Sequence, residues 1–317
     1  MRACANISLF PRRQNLEAHL PQRFVVLSRY SLPVLLAATL TSLSLGQAPD
    51  VAPIALAAQR SAEVGVPVLE THSYKEYNDF GQIWTILQDR RGVMYFGDSG
   101  GDILEYDGVT WRKIVTPGSI ARSLAMDDSG RIWVGGSANF GYLEPDAVGA
   151  MRYVSLLDKI PERDREFTDV WQTLPTPQGI FFRSYELLFR WDGTNMHVWR
   201  PAAAGSRFEA LSAVRGHVYT SQIGIGLQEI VGDELKLVPG GEAYAASRKL
   251  FLHPYDNNRI IVSARNGLLS LYDGQKVTPF PTQADDYLKL HKTYMSAQLH
   301  DGSLCVTSLD GGVAIRN

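Results

Sequence analysis

The sequence predicts an all-β protein, a β-propeller of four-stranded blades, and two observations carry that prediction. A turn motif recurs six times between residues 92 and 302, with a mean period of about 42 residues. Each period holds about four short apolar or alternating runs, and no helical pattern of about 10–15 residues separates them. Sheets that stack around an axis cover one another's faces and leave only short edges exposed. About six blades are predicted, at residues 82–114, 120–157, 168–199, 207–238, 248–280 and 292–317.

The strands and turns of each repeat follow in a fixed order. A first strand ends in a turn rich in aspartate and glycine, for which residues 89–92 and 127–130 are the clearest copies. A second apolar strand follows, and a third strand then runs into Asp107-Gly108 in the first unit and Asp192-Gly193 in the third. Asp-Gly between two extended runs is a strong hairpin signal, because these residues tolerate the positive φ that a tight turn needs. The fourth strand is clearest at residues 109–114.

The N-terminus carries the pattern of a secretory signal over residues 1–48. Its first 30 residues contain five arginines and one acidic residue, Glu17, and an uncharged apolar run follows from Leu32 to Leu45. A basic segment before an apolar run of about 7–15 residues is typical of an export signal. Small residues supply candidate cleavage sites, the last of them at about residue 58. The alternative is a buried helix or a membrane anchor, although a spanning helix needs about 20 apolar residues.

Export would place the rest of the chain in the periplasm or another extracytoplasmic compartment. Residues 49–75 are then expected to form a linker and residues 76–317 the propeller. The sixth unit reaches Asn317 where its third strand should enter a turn. The favoured interpretation is an incomplete seven-bladed propeller, because no polar tail follows the last strand. The other interpretation is a six-bladed ring that an outer strand from Val66–Tyr74 closes.

Two of the units resemble the repeat of two-component regulator propellers. That repeat pairs a D-x-x-G-x-[IL]-W-[IVF]-G segment with a G-[IL]-x-x-[FY]-[DN] segment. Residues 127–135 and 140–146 are similar to the two segments, and residues 89–97 are similar to the first, with Tyr95 in place of tryptophan. The resemblance implies the extracytoplasmic, ligand-sensing propeller of a receptor. It also implies that the β-sandwich and the histidine kinase or diguanylate cyclase that follow in such receptors are absent from this chain.

The motifs predict neither catalysis nor a metal site. The seven histidines are scattered without a metal-ligand spacing, and the two cysteines form no C-x-x-C motif. Gly97-Asp98-Ser99-Gly100 matches the tetrapeptide around a protease serine, but the rest of that fold's signature is missing. We therefore expect a protein that is not an enzyme and has no catalytic residue, metal or cofactor. The net charge of −2 argues against nucleic acid as a partner.

Two alternatives from other functional classes remain open at this point. The first is a secreted propeller enzyme of the lyase or glycoside hydrolase type, because β-propellers host several kinds of chemistry. The second is a truncated fragment without function. The oligomeric state is also open, and a homodimer is possible as far as the sequence shows.

The candidate ligand site is a ring of inner-strand residues around the axis. Counting eight residues back from the last residue of each first turn gives Trp84, Arg122, Trp171, Phe208, Leu250 and Tyr294. An equal register in all six units would place them at one level of the central channel. We expect Trp84, Arg122, Trp171 and Tyr294 to bind a small molecule or an oligosaccharide, since aromatic faces suit a sugar and arginine pairs with carboxylates. The alternative is that these side chains only pack neighbouring blades together.

Overall fold

The computed structural model describes residues 70–79, 81–299 and 301–316. The predicted leader and signal at residues 1–48, and residues 49–69 of the predicted linker, lie outside this described part, so their assignments stay predictions. The described part contains two α-helices, of four and seven residues, and three short 3-10 helices, Leu157–Lys159, Glu162–Asp164 and Gly241–Tyr244. None of its helices has the length and apolar character of a membrane span.

The described residues form six antiparallel sheets, each built from consecutive strands. The first three sheets, called blades 1 to 3, have four strands each. Blade 1 contains β1 (Ile83–Gln88), β2 (Met94–Asp98), β3 (Ile103–Tyr106) and β4 (Trp111–Ile114). Blade 2 contains β5 (Ala121–Met126), β6 (Ile132–Gly136), β7 (Asn139–Pro145) and β8 (Met151–Ser155). Blade 3 contains β9 (Gln172–Thr176), β10 (Gly179–Arg183), β11 (Leu188–Trp191) and β12 (Met196–Trp199).

Blades 4 and 5 also have four strands each, and blade 6 has three within the described residues. Blade 4 contains β13 (Phe208–Val214), β14 (His217–Gln222), β15 (Gly226–Val231) and β16 (Glu234–Leu237). Blade 5 contains β17 (Leu250–Pro254), β18 (Ile260–Ala264), β19 (Leu269–Tyr272) and β20 (Val277–Pro279). Blade 6 contains β21 (Thr293–Gln298), β22 (Leu304–Ser308) and β23 (Val313–Arg316).

The first strand of each blade is the inner strand, and successive inner strands pack against one another. The contacts run from β1 to β5, β9, β13, β17 and β21, in the order of the chain. The six sheets therefore lie side by side in a ring, which confirms the β-propeller that the repeat predicts. Short connections suffice for this topology because each strand pairs with the next strand along the chain.

Apolar clusters join the blades, one at each junction from blades 1 and 2 to blades 5 and 6. Between blades 2 and 3, the ring of Phe140 stacks on Phe182 at a centroid distance of 4.3 Å and lies 4.9 Å from Phe189. All three side chains are fully buried. Because full burial of one such side chain stabilises a fold by roughly 1.5–3 kcal/mol, these junctions hold the blades in fixed positions around the axis.

Residues 70–79 pack on the outer edge of blade 1. The ring of His72 lies edge-on to Tyr106 and Trp111, with centroid distances of 4.8 and 5.4 Å. The ring of Tyr77, in α1 (Tyr74–Tyr77), lies 5.1 Å from Trp111. This segment therefore covers the aromatic side chains of β3 and β4.

The predicted ring-closing strand at Val66–Tyr74 is only partly within the described residues. Residues 70–73 contain no strand, and Tyr74 is the first residue of α1. Residues 66–69 lie outside the described part of the chain. Closure of the ring by this segment, and the number of blades in the complete ring, therefore stay predictions.

A short helix that the sequence analysis did not anticipate, α2 (Asp285–His291), connects β20 to β21. Asp285 Oδ1 accepts hydrogen bonds from the backbone N–H and the hydroxyl of Thr282, at 2.8 and 2.7 Å, and so fixes the turn before the helix. Leu288 is buried in the apolar cluster between blades 5 and 6. Seven residues with one buried leucine give too short a periodic pattern to be recognised in a sequence.

Candidate functional site

A cavity of about 150 Å³ lies at the axis, and all six blades contribute to its wall. Its lining residues, in chain order, are Trp84, Thr85, Arg122, Ser123, Trp171, Gln172, Arg183, Glu209, Lys249, Phe251, Tyr294 and Met295. Most of them belong to the inner strands or directly precede one. The ring of blades thus brings together residues more than two hundred positions apart in the sequence.

β-Bulges direct four of the lining side chains towards the cavity. In β1, β5, β13 and β21 the register shifts by one residue, at Trp84, Arg122, Glu209 and Tyr294 respectively. A bulge places an extra residue opposite one partner and changes the direction of its side chain. The same irregularity therefore recurs at the same place in four blades.

The structure brings the four predicted site residues Trp84, Arg122, Trp171 and Tyr294 to this one cavity. Their role in ligand binding stays a prediction. Two other members of the counted ring, Phe208 and Leu250, do not reach the cavity. Both are fully buried in the apolar clusters between blades.

The residues that take their places are their chain neighbours, Glu209 and Lys249. In blade 4 the bulged residue Glu209 lies seven residues before Gly216, whereas in blade 1 Trp84 lies eight residues before Gly92, so a count of eight is one residue out. In blade 5 the register of β17 shows no bulge. Leu250 therefore stays paired opposite Ala264, and the preceding Lys249 lines the cavity. In the sequence, a charged residue stands beside each of these two apolar positions, and this is the signal that could have identified Glu209 and Lys249.

Arg122 is the central side chain of the site. Its Cζ lies 3.9 Å from the ring centroid of Trp84 and 4.3 Å from that of Trp171, two rings that are almost perpendicular. Its Nη2 donates to Asp169 Oδ2, and Ser137 Oγ donates to the other oxygen of that carboxylate. The side chain is 7% exposed, so the aromatic faces and Asp169 replace most of its water.

Lys249 lies between two aromatic rings of the cavity wall and has no acidic partner among the described residues. Its Nζ lies 5.5 Å from the ring centroid of Trp171 and 4.9 Å from that of Tyr294, and it forms no ion pair with a carboxylate of the described chain. Burial lowers the pKa of Lys249, and the positive charges of Arg265 and Arg183 lower it further. The ammonium is therefore held among cations that oppose its charge.

Arg183, from the second strand of blade 3, was not predicted from the sequence. Its Nε donates to Gln172 Oε1 at 2.7 Å and its Nη1 to the carbonyl of Phe208 at 2.9 Å. Complete burial lowers the pKa of Arg183 to about 10, so the guanidinium remains charged at neutral pH. It links blades 3 and 4 at the cavity wall.

The cavity wall combines aromatic side chains with charged groups. Four aromatic side chains supply flat apolar faces, and three cations supply charge and N–H donors. Glu209 is the single carboxylate among the lining residues, and it pairs with Arg207. In the described part of the chain, no group of three or more histidine, cysteine or acidic side chains is arranged to hold a metal ion.

Several solved structures share the fold of this chain. The extracellular domain of the putative one-component system BT4673 from B. thetaiotaomicron aligns with 75% of this chain and 32% of its own, at a TM-score of 0.53 and 17% identity. A catalytically inactive virginiamycin B lyase from Staphylococcus aureus with quinupristin aligns with 75% of this chain and 81% of its own, at a TM-score of 0.56 and 11% identity. The computationally designed Ika8 protein aligns with 74% of this chain and 70% of its own, at a TM-score of 0.53 and 14% identity.

These similarities establish the β-propeller fold and nothing finer, because the identities are all below 20%. The chain spans about one third of the length of the BT4673 extracellular domain. Neither a protein-family model nor a curated protein matches the sequence.

Proposed function

We propose that this chain is the extracytoplasmic ligand-binding propeller of a signalling receptor of the two-component regulator type. The observation that carries the proposal is the axial cavity, to which all six blades contribute side chains. The resemblance of residues 89–97 and 127–146 to two-component regulator repeats supports the signalling part. The fold similarity to the extracellular domain of BT4673, a putative one-component or hybrid two-component system, is consistent with it.

A ligand at the axis contacts inner strands of several blades at once. Binding therefore favours the arrangement of blades that fits the ligand. The equilibrium between two arrangements of the blades shifts by the difference in the ligand's affinity for them. In the proposed receptor this shift acts on a downstream β-sandwich, on the histidine kinase or diguanylate cyclase beyond it, or on a second protomer of a homodimer. Export by residues 1–48 belongs to the same proposal.

The alternative of a propeller lyase or glycoside hydrolase rests on fold similarity alone. Acid–base catalysis needs a positioned group that gives or takes a proton in the transition state. Among the described residues of the cavity wall, Glu209 is the single carboxylate, and its oxygen already accepts from Arg207 Nε. These contacts favour the binding role.

The proposal is tested by ligand screening of the full chain. Thermal-shift assays against neutral sugars, oligosaccharides and small organic acids should identify compounds that raise the Tm, and titration calorimetry should give their affinities. Tyr294→Ala should weaken binding at least about tenfold, because truncating a central aromatic contact removes packing that its neighbours cannot replace. Tyr106→Ala, a matched change on the outer side of blade 1, should leave the affinity unchanged. The proposal is wrong if no compound class raises the Tm or if Tyr294→Ala binds as tightly as the wild type.

A further inference from the structure

The charges at the wall of the axial cavity are unequal. Arg122, Arg183 and Lys249 line it, and the carboxylates beside these cations are Glu209 in the wall and Asp169, which pairs with Arg122. Glu209 is 3% exposed and pairs with Arg207, so four cations stand against these two carboxylates. A partly buried site with this excess of positive charge repels further cations and attracts an anion.

The wall also offers hydrogen-bond donors without acceptors. Nε and Nη1 of Arg122 and Nε1 of Trp171 are buried and have no hydrogen-bond partner among the described residues. The ring faces of Trp84 and Trp171 stabilise the charge of Arg122 but give its N–H groups no oxygen. Asp169 accepts from Nη2 only, so an oxyanion that reached Arg122 would give its remaining N–H groups an acceptor.

The size of the cavity limits what enters it. A volume of about 150 Å³ is below the usual range for drug-sized ligands, and a cavity of about this size holds one benzene-sized ring. A carboxylate is the smallest organic oxyanion, and it adds less volume to such a ring than a sulfate or phosphate ester does. An oligosaccharide would have to place a single terminal unit here.

We propose that the axial cavity binds a compound of one ring and one carboxylate, with the ring against the aromatic lining and the carboxylate towards Arg122 and Lys249. This inference rests on the proposed binding function and names its ligand class. The aromatic side chains Trp84, Trp171 and Tyr294 select a flat or ring-shaped body, and the cations select its charge. Uronic acids and aromatic acids both have this chemistry.

The test is titration calorimetry of the full chain with two matched pairs of probes. D-glucuronate is compared with D-glucose, and benzoate with benzyl alcohol, so that each pair separates the carboxylate from the ring. The acid of at least one pair should bind at least about tenfold more tightly than its neutral partner, because a hydrogen bond to a charged group is worth more than one to a neutral group. The pair that responds distinguishes a sugar acid from an aromatic acid.

Variants assign that preference to the cavity. Lys249→Gln should reduce the affinity for the acid at least about tenfold and leave the neutral probe within about twofold, because it removes a charge and keeps a similar length. Lys236→Gln, which removes an exposed lysine from β16, is the control and should change neither affinity.

The outcomes separate this inference from the proposed function. If acid and neutral probes bind equally and Tyr294→Ala abolishes the binding of both, the preference for an anion is wrong and the proposed binding function stands. The same holds if the acids fail to bind while the wider screen finds a neutral ligand that needs Tyr294. Failure of every compound class overturns both proposals. If the acid binds tightly and Lys249→Gln leaves its affinity unchanged, the anion binds elsewhere and this inference is wrong.

Discussion

At the scale of single residues, Asp98 shows how burial changes the acidity of a carboxyl group. It is fully buried at the end of β2, where its Oδ1 accepts from Gly100 N at 2.7 Å. Burial, together with the neighbouring Asp79 carboxyl, raises the pKa of Asp98 to about 6. Burial also opposes ionisation of Asp79, but hydrogen bonds from Lys113 and Gly81 outweigh it and lower the pKa of Asp79 to about 2. Near pH 5 the pair therefore carries one negative charge.

The raised pKa of Asp98 makes stability depend on pH. The native state holds this proton more tightly than the unfolded chain, where the pKa is near 3.8, so the free energy of unfolding should fall as the pH rises from about 4 to about 6. Asp98→Asn should remove that fall, since the amide keeps the acceptor for Gly100 and carries no charge. The Tm of the full chain, followed by circular dichroism from pH 4 to 7, measures the effect. Asp286→Asn, at a fully exposed position, should keep the wild-type profile. Identical profiles for Asp98→Asn and wild type would contradict the assignment.

At the scale of the elements, aspartates close the hairpins of the blades. Asp127 Oδ1 accepts from the backbone N–H groups of Ser129 and Arg131, at 2.9 and 3.0 Å, and its Oδ2 accepts from Trp133 Nε1 at 2.8 Å. Asp89 accepts from two backbone N–H groups of its own turn in the same way. In Asp127, one carboxylate thus accepts hydrogen bonds from the backbone N–H groups of the turn and from a side chain of the second strand. This is the physical basis of the aspartate that recurs in the sequence motif.

Loss of the Asp127 carboxylate should destabilise blade 2. Asp127→Ala leaves backbone donors and the indole N–H of Trp133 without their acceptor, so the free energy of unfolding should fall by about 1–3 kcal/mol. Asp128→Ala, an exposed neighbour in the same turn, should change it by less than about 0.5 kcal/mol. Urea unfolding of the two variants and the wild type gives both values. Equal stabilities of the two variants would show that the turn does not depend on this carboxylate.

At the scale of the whole molecule, the blades differ in how well their neighbours cover them. In blade 3, Phe181, Phe182, Leu188 and Phe189 are all fully buried between the adjacent blades. In blade 6, Met295, Val313 and Ile315 are each more than half exposed. Local stability follows the number of buried apolar contacts, so the sheets of one ring need not open with the same free energy.

Hydrogen exchange should show this gradient. Amides of β21, β22 and β23 should exchange faster than those of β9, β10 and β11, because opening blade 6 exposes less apolar surface than opening blade 3. Hydrogen–deuterium exchange of the full chain, read by mass spectrometry on peptides from the two blades, measures the difference. Equal protection of both sets of strands would mean that the ring opens as one cooperative unit.

The sequence alone determined the repeat, the strands, the Asp-Gly turns and four residues of the cavity wall, Trp84, Arg122, Trp171 and Tyr294. These follow from local chemistry, since alternation and turn residues act over a few positions and recur in each unit. Tertiary structure decided that Glu209 and Lys249, rather than Phe208 and Leu250, line the cavity. The reason is that the presence and position of a β-bulge in the inner strand decide which of two adjacent residues points to the axis, and packing between blades buries the other. The excess of positive charge at the axis likewise exists only in the folded ring, where side chains from six blades meet.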